Sequence, residues 1–150
     1  MEIRKAKPGE GAILSELALC SKAYWGYDAG FIEVCRDALT ISEKYIASNY
    51  VYVLEDGSGI AGFFSMVAGD EENELDNMFI LPEYIGKGYG RLLWDKLIEL
   101  AKEIGIVEFT IVSDPYAEEF YRRMGALRIG EVDSNVQKDR KLPLMKVTIT

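Results

Sequence analysis

Histidine is absent from this 150-residue chain. That excludes histidine-based triads, histidine metal ligands and an imidazole general base. Any proton the protein moves must travel through carboxylate, tyrosine, lysine, cysteine or water. Cysteine is nearly absent as well: Cys20 and Cys35 stand alone, and two isolated thiols make neither a disulfide framework nor a zinc site. Both fall in partly apolar, helix-like segments and are expected to be packing residues. No metal is expected. No apolar run approaches the roughly 20 residues of a membrane span, and the stretch Met1 to Glu10 carries charges without an apolar signal core. A soluble, cytoplasmic protein with no membrane partner is the expectation. Positive charge is in deficit, with 17 Lys and Arg against 25 Asp and Glu and a net charge of -8. Nucleic acid, whose phosphates demand clustered cations, is therefore not an expected partner, whereas a cationic amine or basic peptide suits the field.

What is present is the material of one ordinary domain spanning residues 1–150, 49% hydrophobic and 28% charged, with enough apolar side chain for a real core. Strand-like and helix-like segments alternate without repeat or linker. Glu2 to Ala6 reads as a strand, and Glu10 to Ala23 as a helix with Ile13, Leu14, Leu17 and Ala18 on one face. Phe31 to Leu39 and Ser42 to Ala47 read as shorter helical pieces, and Tyr50 to Leu54 with Ile60 to Ala68 as a hairpin about Asp56, Gly57, Ser58 and Gly59. An apolar strand follows, ending at Leu81. The helix Leu92 to Ile104 presents Leu93, Leu97, Leu100, Ala101 and Ile104 together and stops at Gly105. Val107 to Val112 is a fifth strand, after which Ser113 or Asp114 can cap a helix that has Pro115 at its first position. Ala126 to Val132 and Leu142 to Ile149 complete the set. The fold class is α/β, around a mixed, mostly antiparallel sheet.

The most informative segment is Ile85, Gly86, Lys87, Gly88, Tyr89, Gly90, Arg91, placed between a strand and a helix. Glycines let the backbone approach a bound group closely, and the free N–H donors of the following helical turn face it from the positive end of the helix dipole. Such a turn is an anion cradle, with Lys87 and Arg91 beside it to offset the acidic surface. The phosphate loop of nucleotide hydrolases needs four residues between its glycines and then Lys with Ser or Thr, which is not written here, and the alternating Gly86, Gly88 and Gly90 do not fit the dinucleotide fingerprint.

The segment resembles motif A of the GNAT N-acetyltransferase superfamily, where Gln or Arg, two residues, Gly, one residue, then Gly or Ala wraps the pyrophosphate of acetyl-coenzyme A. Gly88, Tyr89 and Gly90 match its second half, while Ile85 stands where the polar residue is usual. Upstream, Glu74 to Pro82 looks like the family's fourth strand. Downstream, Asp114 to Ala126 is similar to its motif B, with Asp114 in place of the usual Asn and Phe120 and Tyr121 ahead of Gly125.

The resemblance implies a seven-stranded GNAT-like sheet flanked by about four helices, with strands four and five parallel and splayed so that the thioester of acetyl-coenzyme A, the co-substrate, enters between them. The backbone of Met78, Phe79 and Ile80 would then meet the pantetheine arm. It also implies transfer of acetyl to a primary amine by direct attack. An alkylammonium has a pKa near 10.4, so a base or water relay must take its proton. Glu74, sixteen residues before Gly90, sits where family members with a strand-four base carry glutamate, and Asp76 shares its strand face by the two-residue period. Either is equally readable as a solvated strand carboxylate. Tyr121 corresponds to the family's tyrosine near the coenzyme sulfur, where a phenol can protonate a departing thiolate; otherwise it is a core aromatic. The acceptor segment of the family corresponds to Tyr24, Trp25, Tyr27 and Asp28, readable as an aromatic amine pocket with one carboxylate or as a packed satellite core. Homodimers are common among proteins it resembles, so a homodimer is a further expectation. The loop with Lys138, Arg140 and Lys141 reads as a phosphate or anion contact or as solvated charge. A non-catalytic acyl-coenzyme A sensor is the alternative function.

Overall fold

A computed structural model describes residues 1–149 of the chain. Among them the strands are β1 (Glu2–Lys5), β2 (Tyr50–Asp56), β3 (Gly59–Ala68), β4 (Asn73–Ile80), β5 (Glu108–Val112), β6 (Leu127–Asp133) and β7 (Lys141–Thr148). The helices are α1 (Gly11–Ala23), α2 (Ala29–Cys35), α3 (Glu43–Ser48), α4 (Tyr89–Glu103) and α5 (Glu118–Arg123), with 3-10 turns at Pro82–Tyr84 and Pro115–Ala117. Five helices stand where about four are expected, because the pieces after α1 form two separate short helices. Asp28 accepts the Phe31 N–H at the start of α2, and Ser42 accepts the Tyr45 N–H at the start of α3.

One sheet runs in the order β1-β2-β3-β4-β5-β7-β6. Every neighbouring pair is antiparallel except β4 with β5, which run parallel. β3 is buried from Ala61 to Met66 on both faces, so its sequence is a continuous apolar run rather than an alternation. Phe64 and Met66 join one core with Leu93, Trp94, Leu97, Leu100 and Tyr121 from α4 and α5. Phe63 joins the other, with Leu14, Leu17, Ala18 and Ile41 around α1. Truncating either phenylalanine to alanine costs about 3–5 kcal/mol, since both are wholly buried. α4 packs because its buried residues recur at helical spacing, and Gly105 at φ 81° turns the chain out of it.

The feature that makes a site is the way β4 leaves β5. The single register pair between them is Glu74 with Thr110, near the start of β4. The strands separate beyond it. A β-bulge also interrupts β4: Asn77 faces Ser65 and Leu75 faces Met66, leaving Asp76 as the extra residue. Bulges re-aim side chains and end regular pairing.

Of the two cysteines, Cys35 is buried as expected but Cys20 is exposed. It lies outside the α1 stripe of Leu14, Leu17, Ala18 and Ser21 that faces the sheet.

Candidate active site

Between the diverging parts of β4 and β5 lies a cavity of about 740 Å³, within the size range of small-molecule sites. Its lower wall is the glycine turn. Gly86 and Gly88 have φ of 86° and 83°, a left-handed backbone that side-chain-bearing residues rarely adopt. Gly88 caps α4, which begins at Tyr89, three residues earlier than the helical periodicity suggests. The first helical bond of α4 runs from Leu92 N to Gly88 O at 3.2 Å, so the N–H groups of Tyr89, Gly90 and Arg91 are left to face outward at the positive end of a fifteen-residue helix. At Gly90 a β-carbon would sit 3.0 Å from the Phe120 ring. Absence of a side chain there keeps the α5 aromatic against the turn. Ile85, Gly86, Gly88, Gly90 and Arg91 line the cavity. Lys87 and Tyr89 do not: the Lys87 ammonium lies 5.7 Å from the Tyr84 ring centroid, and Tyr89 stacks on Tyr84 at 5.1 Å.

The upper wall comes from strand ends. Met78, Phe79 and Ile80 of β4 face Ile111 and Val112 of β5, and Ser113 just beyond it, across the opening. Tyr121 is 6% exposed and closes the inner end. Burial above all, then the nearby charge of Asp114, pushes its phenol above the ordinary value. It is therefore held in the protonated form. Among the described residues no buried side-chain polar atom is left without a partner.

The carboxylates separate by position. Asp76 lines the cavity, and Glu74 does not. Glu74 is half-buried, and that burial, with Asp76 and then Glu72 beside it, raises its carboxyl above the usual range. Asp76 accepts from the Tyr45 hydroxyl at 2.5 Å. That hydroxyl also lies 2.9 Å from Ser65 Oγ, which accepts from Asn77 Nδ2 at 2.8 Å. The pair Tyr45 and Ser65 escapes sequence reading, although one hydroxyl in the apolar run Ile60 to Met66 is a signal that something must satisfy it.

Asp114 lines the cavity but is already engaged. It accepts from Lys22 Nζ at 2.8 Å, from the Tyr27 hydroxyl at 3.0 Å and from the Tyr116 N–H at 2.9 Å. Arg140 lies 3.5 Å away and also reaches Tyr27. Burial alone would push this carboxyl up, but Lys22, the Tyr116 N–H and Tyr27 outweigh it and hold it below its ordinary value. Arg140 thus belongs to this cluster, whereas Lys141 pairs with Asp133 and Lys138 is exposed.

The aromatic segment divides. Trp25 lines the cavity and stacks on Tyr116 at 5.4 Å, with Tyr24 edge-on to it at 5.0 Å. Tyr27 turns toward Asp114, and Lys22 and Arg140 lie 5.1 Å and 5.0 Å from its ring centroid. Asp28 is spent as the cap of α2 rather than facing the cavity. Tyr116, which completes the aromatic wall, follows Pro115 in the turn where Asp114 caps, and nothing in its spacing marks it.

With this geometry in place, comparison with known proteins is direct. A family model described as an acetyltransferase (GNAT) domain matches residues 19–139. No curated protein sequence matches the chain. Solved structures do. A GCN5-related N-acetyltransferase from Rhodopseudomonas palustris superposes with a TM-score of 0.81 at 19% identity, covering 98% of this chain and 94% of the other. The PaiA N-acetyltransferase of Thermoplasma acidophilum, solved with coenzyme A, gives 0.77 at 20% identity over 98% of both chains. The ribosomal-protein-S18-alanine N-acetyltransferase of Escherichia coli gives 0.73 at 17% identity, over 99% of this chain and 94% of that one.

Proposed function

The chain belongs to the GNAT acetyltransferase family, and from that membership we propose that it transfers acetyl from acetyl-coenzyme A to a primary amine by direct attack in a ternary complex. The observation that carries this reading is the meeting, on one cavity, of the glycine turn, the parted strand ends, Asp76 and Tyr121. The outward N–H groups at Tyr89, Gly90 and Arg91 suit the coenzyme's diphosphate, and the ends of β4 suit its pantetheine arm. Bound there, the coenzyme supplies a thioester carbonyl for attack and a thiolate to leave.

The chain's own part is proton handling and exclusion of water. Asp76 lies at the open side of the cavity, where its carboxylate can take a proton from an entering ammonium, directly or through one water. Tyr121, kept neutral by its surroundings, has a proton to give at its hydroxyl where the leaving sulfur would lie. Trp25 and Tyr116 supply an aromatic wall for the acceptor. Asp114 holds that wall through Lys22, Tyr27 and the Tyr116 N–H, a positioning role rather than contact with the coenzyme. A cytoplasmic site of action belongs to the same reading, since the reaction draws on the acetyl-coenzyme A of the cell interior.

The second reading, a sensor that binds acyl-coenzyme A without turnover, takes its support from Asp114, whose acceptor capacity is already occupied. Two measurements test the function. Acetyl-coenzyme A at about 100 times its dissociation constant should stabilise the fold by about 2.7 kcal/mol. Thiol release should then depend on an added amine. Stabilisation without amine-dependent release supports the sensor, and no stabilisation contradicts both readings.

A further inference from the structure

We propose that Tyr45, on α3 and outside the family's glycine turn and tyrosine helix, is a positioning residue that fixes the Asp76 carboxylate as the proton acceptor of the acetyl-transfer site. The inference rests on the reading of Asp76 given above, and goes beyond it by naming what holds that group in place.

Asp76 is the unpaired residue of the β4 bulge, so the sheet ladder does not fix its side chain. A carboxylate on a bulge has rotamer freedom to lose before it can meet an ammonium. Tyr45 removes that freedom. Its hydroxyl has one proton and two neighbours, the Asp76 carboxylate at 2.5 Å and Ser65 Oγ at 2.9 Å. The charged acceptor takes the proton, because a hydrogen bond to an anion is about twice as strong as a neutral one. The Ser65 hydroxyl must then donate to the Tyr45 oxygen, while Ser65 Oγ accepts from Asn77 Nδ2 at 2.8 Å. The three bonds run in one direction, from Asn77 through Ser65 and Tyr45 to Asp76, and such chains strengthen cooperatively. Ser65 is wholly buried, so the chain is anchored in the sheet.

α3 itself is held from behind. Ser42 caps it, and the Glu43 carboxylate takes the N–H groups of Gly9 at 2.5 Å and Gly11 at 2.9 Å, tying the helix to the start of α1. The Tyr45 phenol is pushed above its ordinary value by burial first and by its bond to Asp76 next, so it remains a donor throughout the working pH range. Of the charged groups, Glu74 lies on the same strand, and Lys22, Arg91, Asp114 and Arg123 line the same cavity. Among the described residues Tyr45 is the side chain that donates a hydrogen bond to Asp76.

Tyr45→Phe removes the donor and keeps the ring. A carboxylate that loses the donor orienting it is no longer held in one rotamer, so kcat should fall while the KM for the amine stays close to its wild-type value. Turnover should fall by about tenfold with the carboxylate freed to rotate. The affinity for acetyl-coenzyme A, measured calorimetrically, should not change. Ser65→Ala, which leaves the Tyr45 ring untouched, should lower kcat in the same way by less, and it serves if the phenylalanine variant does not fold. An unchanged kcat in the variant that folds, or a loss shared equally by kcat and coenzyme affinity, overturns the proposal. Asp76→Asn separates the two levels of the argument. If it abolishes turnover while Tyr45→Phe is unaltered, the positioning role fails and the base stands; if Asp76→Asn turns over normally, the base itself fails.

Discussion

Lys22 Nζ and Asp114 Oδ2 lie 2.8 Å apart, although 92 residues separate them in the chain. That contact joins the end of α1 to the turn that launches α5, and Tyr27 and Arg140 converge on the same carboxylate. Asp114→Asn, which restores the asparagine usual in the family, should therefore destabilise this protein, because two cations with side chains 14% and 16% exposed would lose the anion they share. The expected loss is about 2–4 kcal/mol, below the full cost of a deeply buried pair because water reaches the cluster. Denaturant midpoints check it. The sign with pH follows from the lowered carboxyl of Asp114: its contribution is complete above the ordinary carboxylate value near 3.9 and is lost as pH falls through the lower folded value. The difference between wild type and variant should accordingly shrink in acid.

Gly88→Ala places a β-carbon at φ 83° on the residue that caps α4. A left-handed backbone costs a non-glycine residue about 1–2 kcal/mol, and relief of that strain would rotate the N–H groups of the next turn. Stability should fall by about that amount, and acetyl-coenzyme A should bind about tenfold more weakly by calorimetry.

Tyr121→Phe should leave stability and coenzyme affinity nearly unchanged while turnover falls about 100-fold, the size expected for a general acid. Steady-state kinetics beside a calorimetric titration separates the two. Equal loss in both would make Tyr121 a packing residue.

Trp25→Ala removes the ring stacked on Tyr116 and met edge-on by Tyr24. Each such contact contributes about 0.5–1.5 kcal/mol. The KM for the amine should rise about tenfold at unchanged affinity for acetyl-coenzyme A.

Glu74→Gln should behave unlike Asp76→Asn. The Glu74 carboxyl is raised by burial and by its acidic neighbours, so in the folded protein its ionised form is the unfavourable one. Its contribution to stability is present below the ordinary glutamate value and lost as pH rises through the folded value. The glutamine variant should therefore be slightly more stable near neutral pH, by thermal unfolding, with little change in turnover.

The fold was largely readable because its punctuation is local. Gly105 ends α4 and Pro115 follows a capping Asp114, and each signal acts within one turn of chain. The apolar run of β3 and the glycine turn were readable for the same reason. Contacts between distant segments were not. Asp28 reads as an amine partner and serves as the α2 cap, and Arg140, readable as an anion contact or as solvated charge, joins a half-buried cluster. Asp76 and Glu74 share a strand face on paper, but a bulge that depends on pairing with β3 brings only Asp76 to the cavity wall. Tyr45 carried no signal at all in its own sequence neighbourhood, since its partners Ser65 and Asp76 lie 20 and 31 residues away.

The proposed reaction turns acetyl-coenzyme A and an amine into an amide in the cavity between β4 and β5. The most direct measurement is carbon NMR of acetyl-coenzyme A labelled at the acetyl carbonyl, followed with this protein and a panel of primary amines. The thioester signal should decay into an amide signal only when protein and a suitable amine are both present, and Asp76→Asn and Tyr121→Phe should slow that decay. A thioester signal that persists with every amine, while the protein still binds the coenzyme, would contradict it.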